Sequence, residues 1–74
     1  MKNTKVNASI LIIGNEILSG RTQDTNTNTI ALWLNSIGVK VQEVRIIPDI
    51  EETIIDTVNL LRKKNDYVFT TGGI

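Results

Sequence analysis

The sequence contains no cysteine and no histidine. Disulfide staples, thiolate nucleophiles, structural zinc and histidine-based acid–base catalysis are thereby excluded, and any metal must be a hard cation held by oxygen ligands. Nothing calls for an oxidising compartment. Aromatic residues are scarce, with one tryptophan, one tyrosine and one phenylalanine, and neither sign of charge prevails, since 8 Lys+Arg balance 8 Asp+Glu. A nucleic-acid binder needs a basic footprint and stacking platforms, so no nucleic-acid partner is expected. Basic residues adjoin only at Arg62-Lys63-Lys64. Long apolar runs are missing as well: Ile10-Leu11-Ile12-Ile13 lies behind Lys2 and Lys5 and is soon followed by Glu16. That run is too short for a signal-peptide core and far below the roughly 20 residues of a membrane span. A cytoplasmic protein without a membrane partner is the expectation, and the glycosylation-like triplet Asn7-Ala8-Ser9 is then a chance match.

What is present reads as one small globular domain of 74 residues, 41% of them hydrophobic. At that size only about 60% of the unfolded chain's surface can be buried. Ala8 to Ile13, stopped by Gly14, has the continuous apolar character of a parallel strand buried on both faces. From Asn26 onward Ile30, Trp33, Leu34 and Ile37 recur at helical spacing, and Gly38 stands where a left-handed C-terminal cap belongs. Val39 to Ile47 reads as a second strand whose apolar positions 39 and 41 are out of phase with 44 and 46, which predicts a bulge near Gln42-Glu43. Pro48-Asp49 breaks it, and Asp49 with Glu52 resembles a capping box opening a second helix with the stripe Ile50, Ile54, Ile55, Val58 and Leu61. Arg62 to Lys64 suit the dipole of its last turn, and Asn65 is its stop. Asp66 to Thr70 forms a third strand, followed by the Gly72-Gly73 turn. Trp33 and Tyr67 read as packing residues.

The order βαβαβ implies an α/β fold with a parallel sheet and right-handed crossovers. Two strand orders are open. In the order 2-1-3 the helices fall on opposite faces and a crevice opens between the first and third strands, where ligands bind at the carboxyl ends. Both glycine-marked turns would meet there.

Between Gly14 and Thr25 lies a connection of about a dozen residues where about 2 to 6 are usual, and excess length there generally serves function. It delivers the chain to Thr25-Asn26-Thr27-Asn28-Thr29, a helix start whose free N–H groups favour an anion. The purely structural alternative is that Asp24, Thr25 or Asn26 caps the helix, and the two roles are compatible. Glu16 and Asp24 are candidate ligands for Mg²⁺ held against a pyrophosphate. Arg21 is a candidate phosphate clamp, or else a surface partner for one of those acids. Thr70-Thr71-Gly72-Gly73 follows neither the Walker pattern nor GxGxxG, but glycine after a strand lets backbone N–H groups approach a ligand. The implied partner is a phosphate-bearing small molecule.

The stretch Ile13-Gly14-Asn15-Glu16-Ile17-Leu18-Ser19-Gly20-Arg21-Thr22-Gln23-Asp24-Thr25-Asn26, together with Val44 to Asp49 and Tyr67-Val68-Phe69-Thr70-Thr71-Gly72-Gly73-Ile74, resembles a known family. It is similar to the molybdopterin-binding (MoaB/Mog-like) domain of competence/damage-inducible protein A (CinA), also found at the N-terminus of some eukaryotic FAD synthases. The likeness runs from about residue 8 to residue 74. It implies the front part of a three-layer α/β/α fold that often forms oligomers and binds a molybdopterin or nucleotide-like ligand. The implied ligand contacts are Gly14, Asn15, Glu16, Gly20, Asp24, Asn26, Thr71, Gly72 and Gly73, while the acidic pair that a metal-dependent pyrophosphatase needs is expected beyond residue 74. Family members commonly carry Asp or Thr at the place of Asn15. They also continue past the Thr-Gly-Gly-Ile turn into Gly-Pro-Thr, an acidic pair and further strands and helices, so residues 1–74 are expected to be a truncated version of the domain.

Three readings follow: a binding domain for a pterin or nucleotide phosphate, part of a metal-dependent ADP-ribose pyrophosphatase of the kind reported among relatives, or a truncated or split-gene product without independent activity. Physics favours the third for the isolated chain, because a three-stranded parallel sheet with one helix per face leaves apolar surface and two edges uncovered. A homo-oligomer or a complementing fragment is the expected remedy, and catalysis by the isolated chain is not expected.

Overall fold

The computed structural model describes residues 6–72. Its elements are β1 (Val6–Ile13), α1 (Asn15–Leu18), α2 (Asn26–Ser36), β2 (Val39–Ile47), α3 (Glu51–Lys64) and β3 (Tyr67–Gly72). The three strands form one parallel sheet in the order β2-β1-β3, so the 2-1-3 alternative is the one adopted. The central strand is the apolar run, and Ile10, Leu11, Ile12 and Ile13 are all buried. Alternation along β1 sends Leu11 and Ile13 to one face, where they pack with Ile47, Leu61, Ile54, Val58 and Val68 beneath α3. Ile10 and Ile12 point to the other face, and right-handed crossovers place α2 over it. α2 packs mainly on β2, and α3 on β1 and β3.

The out-of-phase apolar residues of β2 are reconciled by a bulge. Ala8 pairs with Val41 but Ser9 pairs with Glu43, which leaves Gln42 as the extra residue. Paired residues in a parallel ladder share a face, so Val39, Val41, Val44 and Ile46, opposite Val6, Ala8, Ile10 and Ile12, all face α2. The bulge also turns Glu43 and Arg45 to the α3 face, where Glu43 pairs with Arg45 and with Lys64 at 3.5 Å. Their hydrogen bonds and positive charges, Arg45 foremost, hold the Glu43 carboxyl below its usual range. Gln42 donates to Asn65 Oδ1 at 2.6 Å, and the Asn65 side chain donates to the Leu61 carbonyl at 2.9 Å. That pair of bonds closes the end of α3 at the expected residue. Gly38, at φ 88°, ends α2 as expected, its N–H donating to Asn35 O at 3.2 Å.

Four expectations change. The long connection holds a helical turn, α1, closed by Leu18 N–H to Gly14 O at 3.3 Å and Ser19 N–H to Asn15 O at 2.9 Å. α3 has no capping box: Ile50 occupies the N-cap without any side-chain cap, because the Ile50 N–H turns back to the Pro48 carbonyl at 2.9 Å. β3 extends through Thr71 and Gly72, so Gly72 ends the strand and is not yet the turn, since the ladder continues to the Ile13–Gly72 pair. Trp33 is 57% exposed and Tyr67 56% exposed, not packed. A three-stranded sheet is too narrow to cover a full helix stripe, so Leu34 is buried while Trp33 and Ile37 remain outside; on α3 Leu61 is buried while Ile55, like Ile50 at the N-cap, remains outside. Among the described residues no helix is long and apolar enough to cross a membrane.

Candidate ligand-binding site

The connection after β1 and the carboxyl end of β3 line a cleft of about 280 Å³. Its floor is Ile12, Ile13 and Ile17, and its rim is polar: Glu16, Thr22, Gln23, Asp24, Thr25, Asn26, Thr71 and Gly72. The crevice between the first and third strands therefore exists where the strand order demands it. Of the residues proposed from the sequence, Glu16, Asp24, Asn26, Thr71 and Gly72 line it. Gly14, Asn15, Gly20 and Arg21 do not, and Gly73 lies outside the described residues. Thr22 and Gln23 join the rim without having been singled out, their membership of the overlong connection being the available signal, and Thr25, read from the sequence as a helix start or cap, joins it as well.

The two cleft carboxylates are in different states. Asp24 is engaged: its Oδ1 accepts the N–H of Asn26 at 3.1 Å and of Thr27 at 3.3 Å, and its Oδ2 accepts the Thr27 hydroxyl. It is the cap of α2 and places its own charge at the positive end of that helix. Replacing Asp24 with alanine should cost about 0.5–2 kcal/mol, whereas Asp24→Asn, which keeps an acceptor oxygen, should retain most of that stability. Urea midpoints of the two variants check this, and equal losses would remove the capping account.

Glu16 is uncommitted. Its side chain has no ion-pair partner among the described residues, where the only salt bridges are those of Glu43. Its backbone carbonyl is heavily used, accepting from Arg21 N–H at 2.9 Å, Thr22 N–H at 3.1 Å and the Ser19 hydroxyl at 3.1 Å, which folds the connection back over the cleft. Gly14 makes room for the carboxylate, because a Cβ there would stand 3.0 Å from Glu16 Oε2. The Gly14 N–H donates to the Ile47 carbonyl at 3.0 Å and so carries the β1–β2 ladder one bond further. Asn15 reaches away from the cleft, its Oδ1 accepting the Asp49 N–H at 3.1 Å.

Gly72 sits on the opposite wall. Its φ of 79° is left-handed, and a Cβ there would lie 2.1 Å from the Ile13 carbonyl oxygen. Only glycine lets β3 approach β1 this closely at the mouth of the cleft. The donor set is hydroxyl, amide and carboxylate oxygen, which suits a hard cation such as Mg²⁺ that keeps its waters and takes one or two carboxylates. Among the described residues no group of three or more acidic side chains gathers, so the protein would supply only part of a coordination shell.

A parallel sheet in the order β2-β1-β3, with helices between its strands and a polar-rimmed cleft at the carboxyl ends of two adjacent strands, defines an α/β domain of the doubly wound class. Residues 9–74 match the family described as probable molybdopterin binding domain, and the chain belongs to that family. It is 43% identical over 67 residues to a CinA-like protein of Flavobacterium psychrophilum, covering 90% of this chain and 16% of that one. It is 39% identical over 67 residues to a probable FAD synthase of Caenorhabditis elegans, covering 90% of this chain and 13% of the relative. The crystal structure of the protein CinA with unknown function from Thermoplasma acidophilum superposes with a TM-score of 0.89 at 32% identity, over 97% of this chain and 43% of that one. The chain thus spans less than half the length of each of these relatives.

Proposed function

We propose that this domain binds a phosphate-bearing pterin or nucleotide of molybdopterin type in the cleft between β1 and β3. The observation that carries the reading is the convergence of Glu16, Asp24, Asn26, Thr71 and Gly72, from three separate elements, on one polar-rimmed cleft with an apolar floor. Ile12, Ile13 and Ile17 suit a flat ring, while the threonine hydroxyls and the backbone around Gly72 suit phosphate oxygens. Asp24 already occupies the start of α2, so an anion arriving beside it meets negative charge. Mg²⁺ held by Glu16 would neutralise that charge, and this is the only chemistry the metal supplies in this reading. The family description supports a pterin, and the probable FAD synthase relatives keep a nucleotide ligand in view.

Metal-dependent hydrolysis of a pyrophosphate such as ADP-ribose is the alternative reading, and among the described residues the cleft offers it one carboxylate without a partner, Glu16, beside Asp24, which caps α2. Uncovered apolar residues, Trp33 and Ile37 on α2 with Val44 and Ile46 on β2, support assembly with like chains or with a complementing fragment. A cytoplasmic setting accords with such a ligand.

Isothermal titration with inorganic pyrophosphate, 5′-AMP and GMP, each with and without Mg²⁺, tests the reading. Saturable Mg²⁺-dependent binding is expected, and Glu16→Gln should weaken it about tenfold, the worth of one contact to a charged group. Absence of binding by any probe, or unchanged affinity in the variant, would overturn it.

A further inference from the structure

The carboxamide of Asn15 faces away from the cleft and still joins two of the loops that surround it. The Asn15 Oδ1 to Asp49 N–H bond of 3.1 Å spans 34 residues and links the first residue of α1 to the β2–α3 turn. α1 is a helix of four residues, too short to hold its own direction. Its other hydrogen bonds among the described residues are local: those of its own turn, those that the following residues Ser19 to Thr22 give back to it, and the Gly14 N–H bond to Ile47 at 3.0 Å, one residue before it. Glu16 follows Asn15 directly, and its carboxylate lies over Gly14 in the space a side chain would fill. The β2–α3 turn offers the complementary half: with Ile50 at the N-cap and no side-chain cap on α3, the Asp49 amide is free to be claimed from outside.

We propose that Asn15 is the positioning residue of the cleft: by accepting the Asp49 N–H it pins α1 to the β2–α3 turn and so sets the direction from which Glu16 enters the ligand site. The bond needs an acceptor oxygen at position 15 and nothing else. Aspartate preserves it and alanine abolishes it. A negative charge at position 15 is therefore dispensable, and the neutral amide does the same mechanical work without adding a further carboxylate beside Glu16. The inference rests on the ligand-binding reading for its functional consequence, although the lock itself does not.

The test uses the full chain as wild type, Asn15→Ala and Asn15→Asp, with three readouts. Amide exchange of Asp49 should be about tenfold faster in Asn15→Ala and near wild type in Asn15→Asp, because exchange reports the local opening of that bond. Nuclear Overhauser contacts between the Glu16 side chain and the Gly14 α-protons should be present in wild type and Asn15→Asp and lost in Asn15→Ala. Binding of Mg²⁺-pyrophosphate should weaken about fivefold to tenfold in Asn15→Ala and recover in Asn15→Asp, while the pairing of β1 with β3 stays intact in the amide shifts. Unchanged Asp49 exchange or unchanged Glu16–Gly14 contacts in Asn15→Ala would overturn the proposal. So would wild-type affinity in a variant whose lock has opened. A wild type that binds no pyrophosphate would instead bring down the ligand reading and leave the first two readouts to judge the lock.

Discussion

Gly72→Ala should destabilise the protein by at least about 3 kcal/mol, the left-handed backbone alone accounting for about 1–3 of that for a residue with a Cβ. The remainder comes from collision. The added Cβ would sit 2.1 Å from the Ile13 carbonyl oxygen, a backbone atom of the central strand that cannot yield without opening the β1–β3 ladder. Gly20→Ala separates the two contributions, because Gly20 has φ 83° but nothing within 4 Å of its would-be Cβ. It should lose only about 1 kcal/mol. The measurement is the urea midpoint, supplemented by the soluble fraction where a variant does not purify, and by amide protection of Phe69 and Thr71 in β3. Equal effects at positions 20 and 72 would show that close approach of the strands is not what requires glycine. Because Thr71 and Gly72 form one wall of the cleft, ligand binding should fall with the strand pairing.

Leu11→Ala should cost about 2–5 kcal/mol through lost transfer energy and the cavity left behind. Leu11 is fully buried at the centre of the middle strand and belongs to the cluster with Ile13, Ile47 and Leu61 that joins all of β1, β2 and α3. At about 0.05–0.15 kcal/mol per residue a domain of this length holds roughly 4–11 kcal/mol, so the variant should lose a large share of its stability. Leu32→Ala, at a position 62% exposed on α2, should stay within about 0.5 kcal/mol of the parent. Circular dichroism during urea titration distinguishes them, and a Leu11→Ala protein melting within 1 kcal/mol of the parent would mean the cluster is not the core.

The legible parts of the fold were those whose physics is local. The apolar run Ile10 to Ile13 declared a strand buried on both faces, Gly38 declared the end of α2, and the phase change across Gln42-Glu43 declared the bulge that the ladder places at Gln42. The capping box was misread because Asp49 and Glu52 have the right spacing, yet the turn at Pro48 and the reach of Asn15 dispose of the local backbone differently. Trp33 was misread because helical periodicity tells which side chains share a stripe, not how wide a surface awaits them. The position of the cleft was legible in outline, since the overlong first connection and Gly72 after an apolar strand stand on its two sides. Which of its acids is free was not legible. Asp24 and Glu16 look alike in sequence, and only the hydrogen bonds of Asp24 to Asn26 and Thr27 separate a cap from an available ligand.

By itself the sequence determined the class of fold: element types, parallel pairing, a stretch of 74 residues without cysteine or histidine, and the long polar connection after the first strand. These follow from composition and from periods of 2 and 3.6, which act over a few neighbouring residues. Tertiary structure decided the choice of order β2-β1-β3, the 2.1 Å constraint at Gly72, the bond from Asn15 to Asp49 and the burial of the Ser9 hydroxyl without a hydrogen-bond partner among the described residues. Each of these depends on atoms brought together from distant points of the chain, where sequence spacing holds no information about distance.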